Sequence, residues 1–503
     1  MINLKKIRLF LINAIILIIA SFVINAVRMS FGVYISNKIG EEALGVFSLI
    51  SSVYFFFITL AISGINLTVT RIISEELVTK EQYRIKKAMK QCITFSLVLG
   101  IIAGVLLFTF APFIAGNWLH GKVSQVPLYI FSICLPFMSV ASAVNGYFSA
   151  LRKVVKNISQ QVLEMLIQIV ITVYLLSLFL PSGIEYICIA LVLGTAISEV
   201  ISGIYLYILY KIETRNTKNV VIKDLNYGPR IFRISMPIAI TSYIRSGLST
   251  LKQILIPLKL EESGMSCDKA LSKYGMMSGM VMPLLMFPST IVSAFSALLI
   301  PEFSEYNYTK SYNTINSTIT KIFKITFIFS FFIMGIFYSF SDELGTLIYH
   351  SEEVAAALRT LCPLVLFIYI DNIIDSILKG LDKQVSVMVV NIVDLVVSIG
   401  FIYFLLPMQG FFGYIIVIFI SEILNFSISL GALIKTTNFK FDYSNWIIKP
   451  LAGMIFAIFI SNIIKVQVHY EVLVLVINIA LFLLAYIWIL AFSSCIKKED
   501  FKI

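Results

Sequence analysis

Apolar runs of about twenty residues recur along the chain, separated by short polar stretches rich in lysine and arginine. A helix rises 1.5 Å per residue, so about twenty apolar residues cross a bilayer core roughly 30 Å thick. Fourteen runs have that length, near 9–35, 43–69, 91–116, 124–149, 157–181, 185–210, 231–258, 274–300, 319–340, 355–378, 384–406, 411–434, 446–464 and 471–494. The pattern predicts an all-α integral membrane protein of about fourteen transmembrane helices. Lys5-Lys6-Ile7-Arg8 ahead of the first run mimics a signal peptide. The run continues to about Asn25 with no clear small-residue cleavage site, which makes it an uncleaved first span.

The basic residues orient the spans. With the first segment cytoplasmic, twenty-nine Lys and Arg fall on cytoplasmic segments and six on outer ones. Four remain inside spans: Arg28, Arg245, Lys252 and Arg359. Cytoplasmic loops carry the positive excess, so an even number of spans with both termini cytoplasmic is expected.

The chain also repeats itself at an offset of 230 residues. Ser74-Glu75 with Thr79-Lys80 recurs as Ser304-Glu305 with Thr309-Lys310, and Gly45 recurs as Gly275. Leu151, Lys153 and Val155 recur as Leu381, Lys383 and Val385, and Glu164 as Asp394. After a shorter loop, Ile197-Ser198-Glu199 recurs as Ile420-Ser421-Glu422. Two six-helix repeats forming two lobes are therefore expected, 1–210 and 231–435. A polar, basic cytoplasmic linker at 211–230 joins them. Residues 436–503 add spans 13 and 14 and a cytoplasmic tail. Duplicated bundles with a site at their interface are a recurring transporter design.

Composition narrows the class. Of 503 residues, 59% are hydrophobic and 13% charged, against about 25% charged in soluble domains. A soluble fold of this length could not hide so much apolar surface. The net charge of +11 would raise nucleic acid as a partner in a soluble protein. Here the charges sit in short loops and report topology. Six cysteines and three histidines are scattered without metal or disulfide spacing, so no metal or cofactor is expected. No loop is long enough for an ATPase or a soluble catalytic domain. Gly116-Asn-Trp-Leu-His-Gly121-Lys122 has phosphate-loop spacing. Val123, however, stands where a Ser or Thr would hold magnesium, and the segment lies on the outer side.

Charges inside spans carry the remaining information, because Arg or Lys at mid-bilayer costs roughly 2.5–3.5 kcal/mol. Arg245 lies twelve residues past Arg233, roughly 18 Å in and near the midplane. Arg28 and Lys252 lie near the outer boundary on corresponding helices of the two repeats. Two readings stand for each. The cations line a cavity between the halves, or Arg28 and Lys252 snorkel to headgroups and Arg245 pairs with a neighbouring acid. A cationic cavity suits a diphosphate, which must exchange water for charge-assisted hydrogen bonds. An exporter of cations would need carboxylates instead. Glu164 and Asp394 correspond by the repeat, as do Glu199 and Glu422, which fits a shared structural role. Asp371, Asp375 and Asp394 are also candidates for proton or sodium coupling, with Asp371 and Asp375 one turn apart on span 10. Pro237, Pro257, Pro283 and Pro288 interrupt spans 7 and 8, and Gly32 and Gly64 interrupt spans 1 and 2. They are hinges for alternating access or ordinary membrane-helix kinks.

The stretch Ile35-Ser-Asn-Lys-Ile-Gly-Glu-Glu-Ala-Leu-Gly-Val-Phe-Ser-Leu-Ile50 is followed by Ile58-Thr-Leu-Ala-Ile-Ser-Gly-Ile-Asn-Leu-Thr-Val-Thr-Arg-Ile-Ile-Ser-Glu75. Together they resemble the stage V sporulation protein B group of oligosaccharide flippases. Leu298-Leu-Ile-Pro-Glu-Phe-Ser-Glu305 and Leu378-Lys-Gly-Leu381 extend the resemblance into the second repeat. The group belongs to the superfamily of multidrug, oligosaccharidyl-lipid and polysaccharide exporters. The resemblance implies two lobes around a central cavity, with the last helix pair forming a lipid-side groove. It implies movement of an undecaprenyl-pyrophosphate-linked oligosaccharide from the inner to the outer leaflet. Lipid II for cell-wall or spore-cortex peptidoglycan is the expected cargo, with Arg28 a candidate headgroup contact. One departure is Asn66, where the group's pattern leads one to expect proline after the Ser-Gly of span 2.

The expectation is thus a flippase of the bacterial cell membrane working by alternating access, a monomer with no nucleic-acid partner. Arg28, Arg245 and Lys252 would bind the pyrophosphate. Drive would come from a proton or sodium gradient or from the membrane potential alone. A cell-wall polymerase is a candidate partner alongside membrane lipids. The alternatives are a cation-coupled multidrug exporter of the same fold, a flippase for teichoic or capsular polysaccharide units, and a polyprenyl-dependent glycosyltransferase. The last would need acidic residues on a substantial outer loop, and the longest, near 259–273, shows no such set.

Overall fold

The computed structural model describes residues 4–78, 81–118, 124–215, 226–439, 441–463 and 471–495, with side chains from residue 19 on. Among these there are helices and no strand. They run α1 (Leu4–Ile62), α2 (Ile65–Val78), α3 (Gln82–Asn117), α4 (Val126–Ala150), α5 (Val154–Phe179), α6 (Ile184–Glu213), α7 (Gly228–Glu262) and α8 (Cys267–Met276). Then follow α9 (Met282–Met286), α10 (Ser289–Tyr308), α11 (Tyr312–Ser339), α12 (Ser341–Tyr349), α13 (Glu352–Leu361), α14 (Leu364–Gly380), α15 (Gln384–Thr436), α16 (Lys449–Ile463) and α17 (Glu471–Phe492). The phosphate-loop look-alike and the expected linker fall partly outside the described residues, at 119–123 and 216–225, and the tail lies beyond residue 495.

Nine of the described helices are long and apolar enough to cross a membrane, or eleven if each of two bent pairs is one span. The expected fourteen is not recovered as a count, for two physical reasons. Two long helices each join two predicted spans. α15 contains Gly410 at φ 57°, ψ −134°, where the chain reverses. Asp394 and Ser421 would lie about 40 Å apart on a straight helix, yet they share a 2.7 Å hydrogen bond. α1 likewise holds Gly40 at φ 78°, ψ 171°, between predicted spans 1 and 2. Only glycine adopts such angles without strain. The second reason is α7, which is absent from the apolar set. It carries Arg230, Arg233, Arg245, Lys252 and Lys259 within one helix.

The chain forms two compact units, 1–31 with 39–258 and 267–275, and 32–38 with 259–266 and 276–503. In the first, α4 packs on α2, α3 and α6, and α5 packs on α6. The polar and small residues of α7 run antiparallel along the end of α1. Tyr243 donates to the Leu60 carbonyl at 3.1 Å, and Thr250 to the Ser52 carbonyl at 3.0 Å. In the second unit α14 packs on α10, α11 and α15. α16 and α17 sit on α11. Buried Trp446 stacks on Phe327 and meets Phe323 and Phe441 edge-on, and the Tyr486 hydroxyl donates to the Ile328 carbonyl.

The repeat appears in these contacts. The Lys153 amide donates to the Phe148 carbonyl at 2.9 Å and the Lys383 amide to the Leu378 carbonyl at 2.8 Å, at positions 230 residues apart. Arg152 and Asp382, just past α4 and α14, both take positive φ. Pro237 and Pro257 do not interrupt span 7, since α7 runs on through both. Gly64, at φ 76°, separates α1 from α2, so span 2 bends although Asn66 stands where proline was expected. Span 8 bends by 57° between Met286 and Ser289, at Pro288. Gly32 does not interrupt its helix. It lacks the positive φ that marks the other bends.

Past α6, Lys153 and Lys156 close on Glu213, the second at 2.6 Å. Hydrogen bonds from Lys153 and then Lys156 hold the Glu213 carboxyl below its ordinary value of 4.5. A depressed carboxylate stabilises the fold fully above its unfolded pKa, and that contribution disappears as pH falls through the folded value. Glu213→Gln is expected to lower stability near pH 7 by no more than about 1 kcal/mol, because the pair is partly solvated. Thermal unfolding should show the difference between variant and parent shrinking below pH 4.5.

Candidate functional site

In the first unit a chain of polar side chains threads an otherwise apolar bundle. Arg28, on α1, donates Nη2 to Glu164 Oε1 of α5 at 3.4 Å. Its side chain stays 46% exposed, against 20% for Glu164. The other oxygen of Glu164 accepts from Gln160 at 2.9 Å and from Ser202 of α6 at 3.4 Å. Gln160 also donates to the Ser202 hydroxyl at 3.1 Å. One turn earlier on α6, Glu199 accepts from the Tyr54 hydroxyl, whose ring stacks on Phe131 with centroids 3.7 Å apart. Gln160 and Glu164 are four residues apart, which puts them on one helix face. Glu164 thus receives both neutral and charged donors, as a carboxylate in a low-dielectric bundle requires.

The second unit holds the repeat counterpart. Asp394 accepts from Ser421 at 2.7 Å and from Ser398 at 3.4 Å, and those two hydroxyls bond each other at 2.9 Å. Asp371 accepts from Asn425 at 2.8 Å, and Lys379 reaches Asp375 at 3.3 Å. Asp371 lies within electrostatic reach of both Asp375 and Asp394. The structure therefore brings the three candidate coupling acids into one neighbourhood. Among the described residues, no group of three His, Cys, Asp or Glu could hold a metal ion.

Arg245 is different. It sits in the middle of α7, exposed, and makes no hydrogen bond or ion pair among the described residues. It is not locked against an acid. Lys252, two turns on, is half-buried and has a partner. Arg28 and Arg245 share no carboxylate. Arg359, counted above as lying within a span, sits on the short helix α13 ahead of a 55° bend. It donates to Ser341 at 2.9 Å and Asp342 at 2.6 Å on α12, a local clamp.

Sequence reasoning missed Tyr54, Gln160 and Ser202. The spacing of Gln160 from Glu164 and of Ser198 from Ser202 was the available signal. Nothing in the sequence linked Arg28 to an acid 136 residues away.

The family model described as "Polysaccharide biosynthesis protein" matches residues 10–307, more than half the chain. The chain belongs to that family. A MatE family model matches residues 263–404. Stage V sporulation protein B of Bacillus subtilis (strain 168) is 24% identical over 98% of this chain and 97% of its own. Among solved structures, lipid II flippase MurJ in an inward closed conformation aligns with TM-score 0.73 at 13% identity, over 95% of this chain and 98% of that one. An inward-facing multidrug resistance MATE family transporter aligns with TM-score 0.67 at 15% identity, over 83% and 98%. The chain shares the fold of these two proteins, and its relatives are flippases and transporters.

Proposed function

We propose that the protein moves an undecaprenyl-pyrophosphate-linked oligosaccharide, lipid II in the first instance, from the inner to the outer leaflet by alternating access. The observation that carries this reading is Arg245, an exposed guanidinium in mid-helix with no hydrogen bond or ion pair among the described residues. A charge at that depth persists where water or an anion reaches it. Arg28 adds a second guanidinium whose remaining donors are open to a phosphate, since Glu164 engages one of five N–H groups. Lys252 is the third candidate contact. The name of one relative, lipid II flippase MurJ, supports the same cargo.

Energy for the cycle comes, on this proposal, from the membrane potential, with both termini cytoplasmic. Moving one charge across the membrane is worth about 2.3 kcal/mol per 100 mV. An inside-negative potential drives a diphosphate outward and draws an empty cationic site back. The test is leaflet accessibility of lipid II in reconstituted vesicles under a potassium–valinomycin potential. An inside-negative potential of about 100 mV is expected to speed outward transfer several-fold. Transfer indifferent to potential, or no transfer at all, rejects the corresponding part of the reading.

A second reading rests on Asp371, Asp375 and Asp394. Their proximity suits a proton or sodium site, as in a cation-coupled multidrug exporter of this fold. Uptake of a lipophilic cation dependent on these acids, without lipid II transfer, would select it. Transfer of a teichoic or capsular lipid-linked unit in place of lipid II would keep the mechanism and change the glycan.

A further inference from the structure

The first unit holds a second cationic feature, away from Arg28 and Arg245. A concavity of about 520 Å³ is lined by Arg71 of α2 and by Arg230, Arg233, Ile234 and Ile238 of α7. Its size falls in the range of about 300–1,000 Å³ typical of small-molecule sites. We propose that it is an intake site for a phosphate-bearing amphiphile. On the flippase reading, on which the intake role rests, that amphiphile is the lipid-linked diphosphate before it reaches Arg245.

Three observations carry the proposal. The first is charge imbalance. Glu75 accepts from Arg71 at 3.2 Å and from Arg230, so one carboxylate tethers two guanidiniums. Arg233 is exposed and makes no hydrogen bond or ion pair among the described residues. Three cations thus line the concavity while one acid engages only two of them, where a structural ion pair would balance.

The second is position. Arg230 and Arg233 occupy the first two turns of α7, at the positive end of its dipole, where cations are disfavoured. An anion bound there offsets both the dipole and the excess charge. Guanidinium forks match phosphate oxygens in pairs, which a solvated lysine surface does not.

The third is the apolar wall. Arg230, Ile234 and Ile238 recur every four residues and so share one face of α7. A phosphate at the arginines would leave an attached hydrocarbon chain running along the isoleucines. The same helix carries Arg245 twelve residues past Arg233, roughly 18 Å farther on. One helix therefore presents a cation at its end and another in its middle.

The test uses the full-length protein in nanodiscs of zwitterionic lipid, with labelled farnesyl diphosphate as the probe. Arg233→Gln and Arg71→Gln are each expected to raise its Kd about tenfold, the loss of roughly one charge-assisted bond. Arg152→Gln, which does not line the concavity, is expected to change nothing. An unchanged Kd in both Arg233→Gln and Arg71→Gln overturns the site. Inorganic pyrophosphate binding as tightly as farnesyl diphosphate removes the isoleucine wall and overturns the amphiphile. Phosphatidylglycerol displacing the probe at equal mole fraction assigns the pocket to bulk bilayer headgroups and overturns the intake role. Arginine-dependent binding in a protein that fails to transfer lipid II would leave this site standing and reject the flippase reading.

Discussion

Gly275→Leu is expected to abolish the folded protein, and Gly45→Leu to do the same. The two glycines correspond in the repeat, and the structure sets them against each other where α8 crosses the part of α1 beyond Gly40. A Cβ on Gly275 would collide with the Glu41 carbonyl and with the Gly45 backbone. A Cβ on Gly45 would collide with the Leu271 carbonyl. These are backbone atoms on both sides, so no side-chain rotation relieves the clash, and the helices must separate. Overpacking that side chains can absorb costs about 1–3 kcal/mol, and leucine here exceeds that range. Close approach through small residues is also how membrane helices gain packing, because lipid tails supply no hydrophobic drive between them. Gly275→Ala already places that Cβ against backbone and should lower the melting temperature clearly, whereas the leucine variants should give no monodisperse peak after detergent extraction. Gly400→Leu is the control, since nothing lies within 4 Å of a Cβ built there. Recovery of Gly275→Leu at parental yield and melting temperature would mean that the crossing is not as close as described.

That crossing shows where sequence reading stopped. The match of Gly45 with Gly275 was legible as a marker of the repeat. The contact was not, because a periodicity says which positions are equivalent and not which ones touch. The same holds for Glu164 and Asp394. Their equivalence could be read from spacing, and each does accept hydroxyl hydrogen bonds from the helix that follows it. Their difference could not be read, since Arg28 reaches Glu164 from a distant helix. Bends were legible only in part, since α7 runs on through Pro237 and Pro257. Pro288 and Gly64 break their spans, one by geometry and lost donors, the other by positive φ. Gly32 shows the limit, because glycine permits a left-handed angle without requiring it. Span count was the least secure quantity. Hydropathy treats α7 as a span only if its cations are forgiven, whereas Gly40 and Gly410 fall between predicted spans that the structure joins into single long helices. The concavity at Arg71, Arg230 and Arg233 was invisible for a different reason. The positive-inside rule already explained those residues as loop-proximal charges, so nothing prompted a second use for them.

Arg245→Ala is expected to slow lipid II transfer about 100-fold while leaving the melting temperature equal or higher. The two halves of this outcome have separate causes. A guanidinium with no partner among the described residues contributes no ion pair to the fold they form, and on the proposed placement its removal relieves roughly 2.5–3.5 kcal/mol of insertion cost. Stability therefore has nothing to lose. Transport does, because charge-assisted hydrogen bonds contribute about 1.5–3 kcal/mol each. Two of them to a diphosphate correspond to at least 3 kcal/mol, or about two orders of magnitude. Arg245→Lys keeps the charge and loses the planar fork, so it should retain about a tenth of the parental rate. Arg28→Ala cannot separate the causes as cleanly, since it also strips Glu164 of its ion pair and strands an acid in the bundle. For that position the Arg28→Ala, Glu164→Gln double variant is the informative one. It should recover stability relative to Arg28→Ala and still transfer lipid II slowly. Both rates are read by leaflet accessibility in vesicles matched for protein content. Parental transfer by Arg245→Ala would remove the diphosphate from the account of this cation. A fall in melting temperature parallel to the fall in rate would instead make Arg245 a structural residue, whatever its exposure.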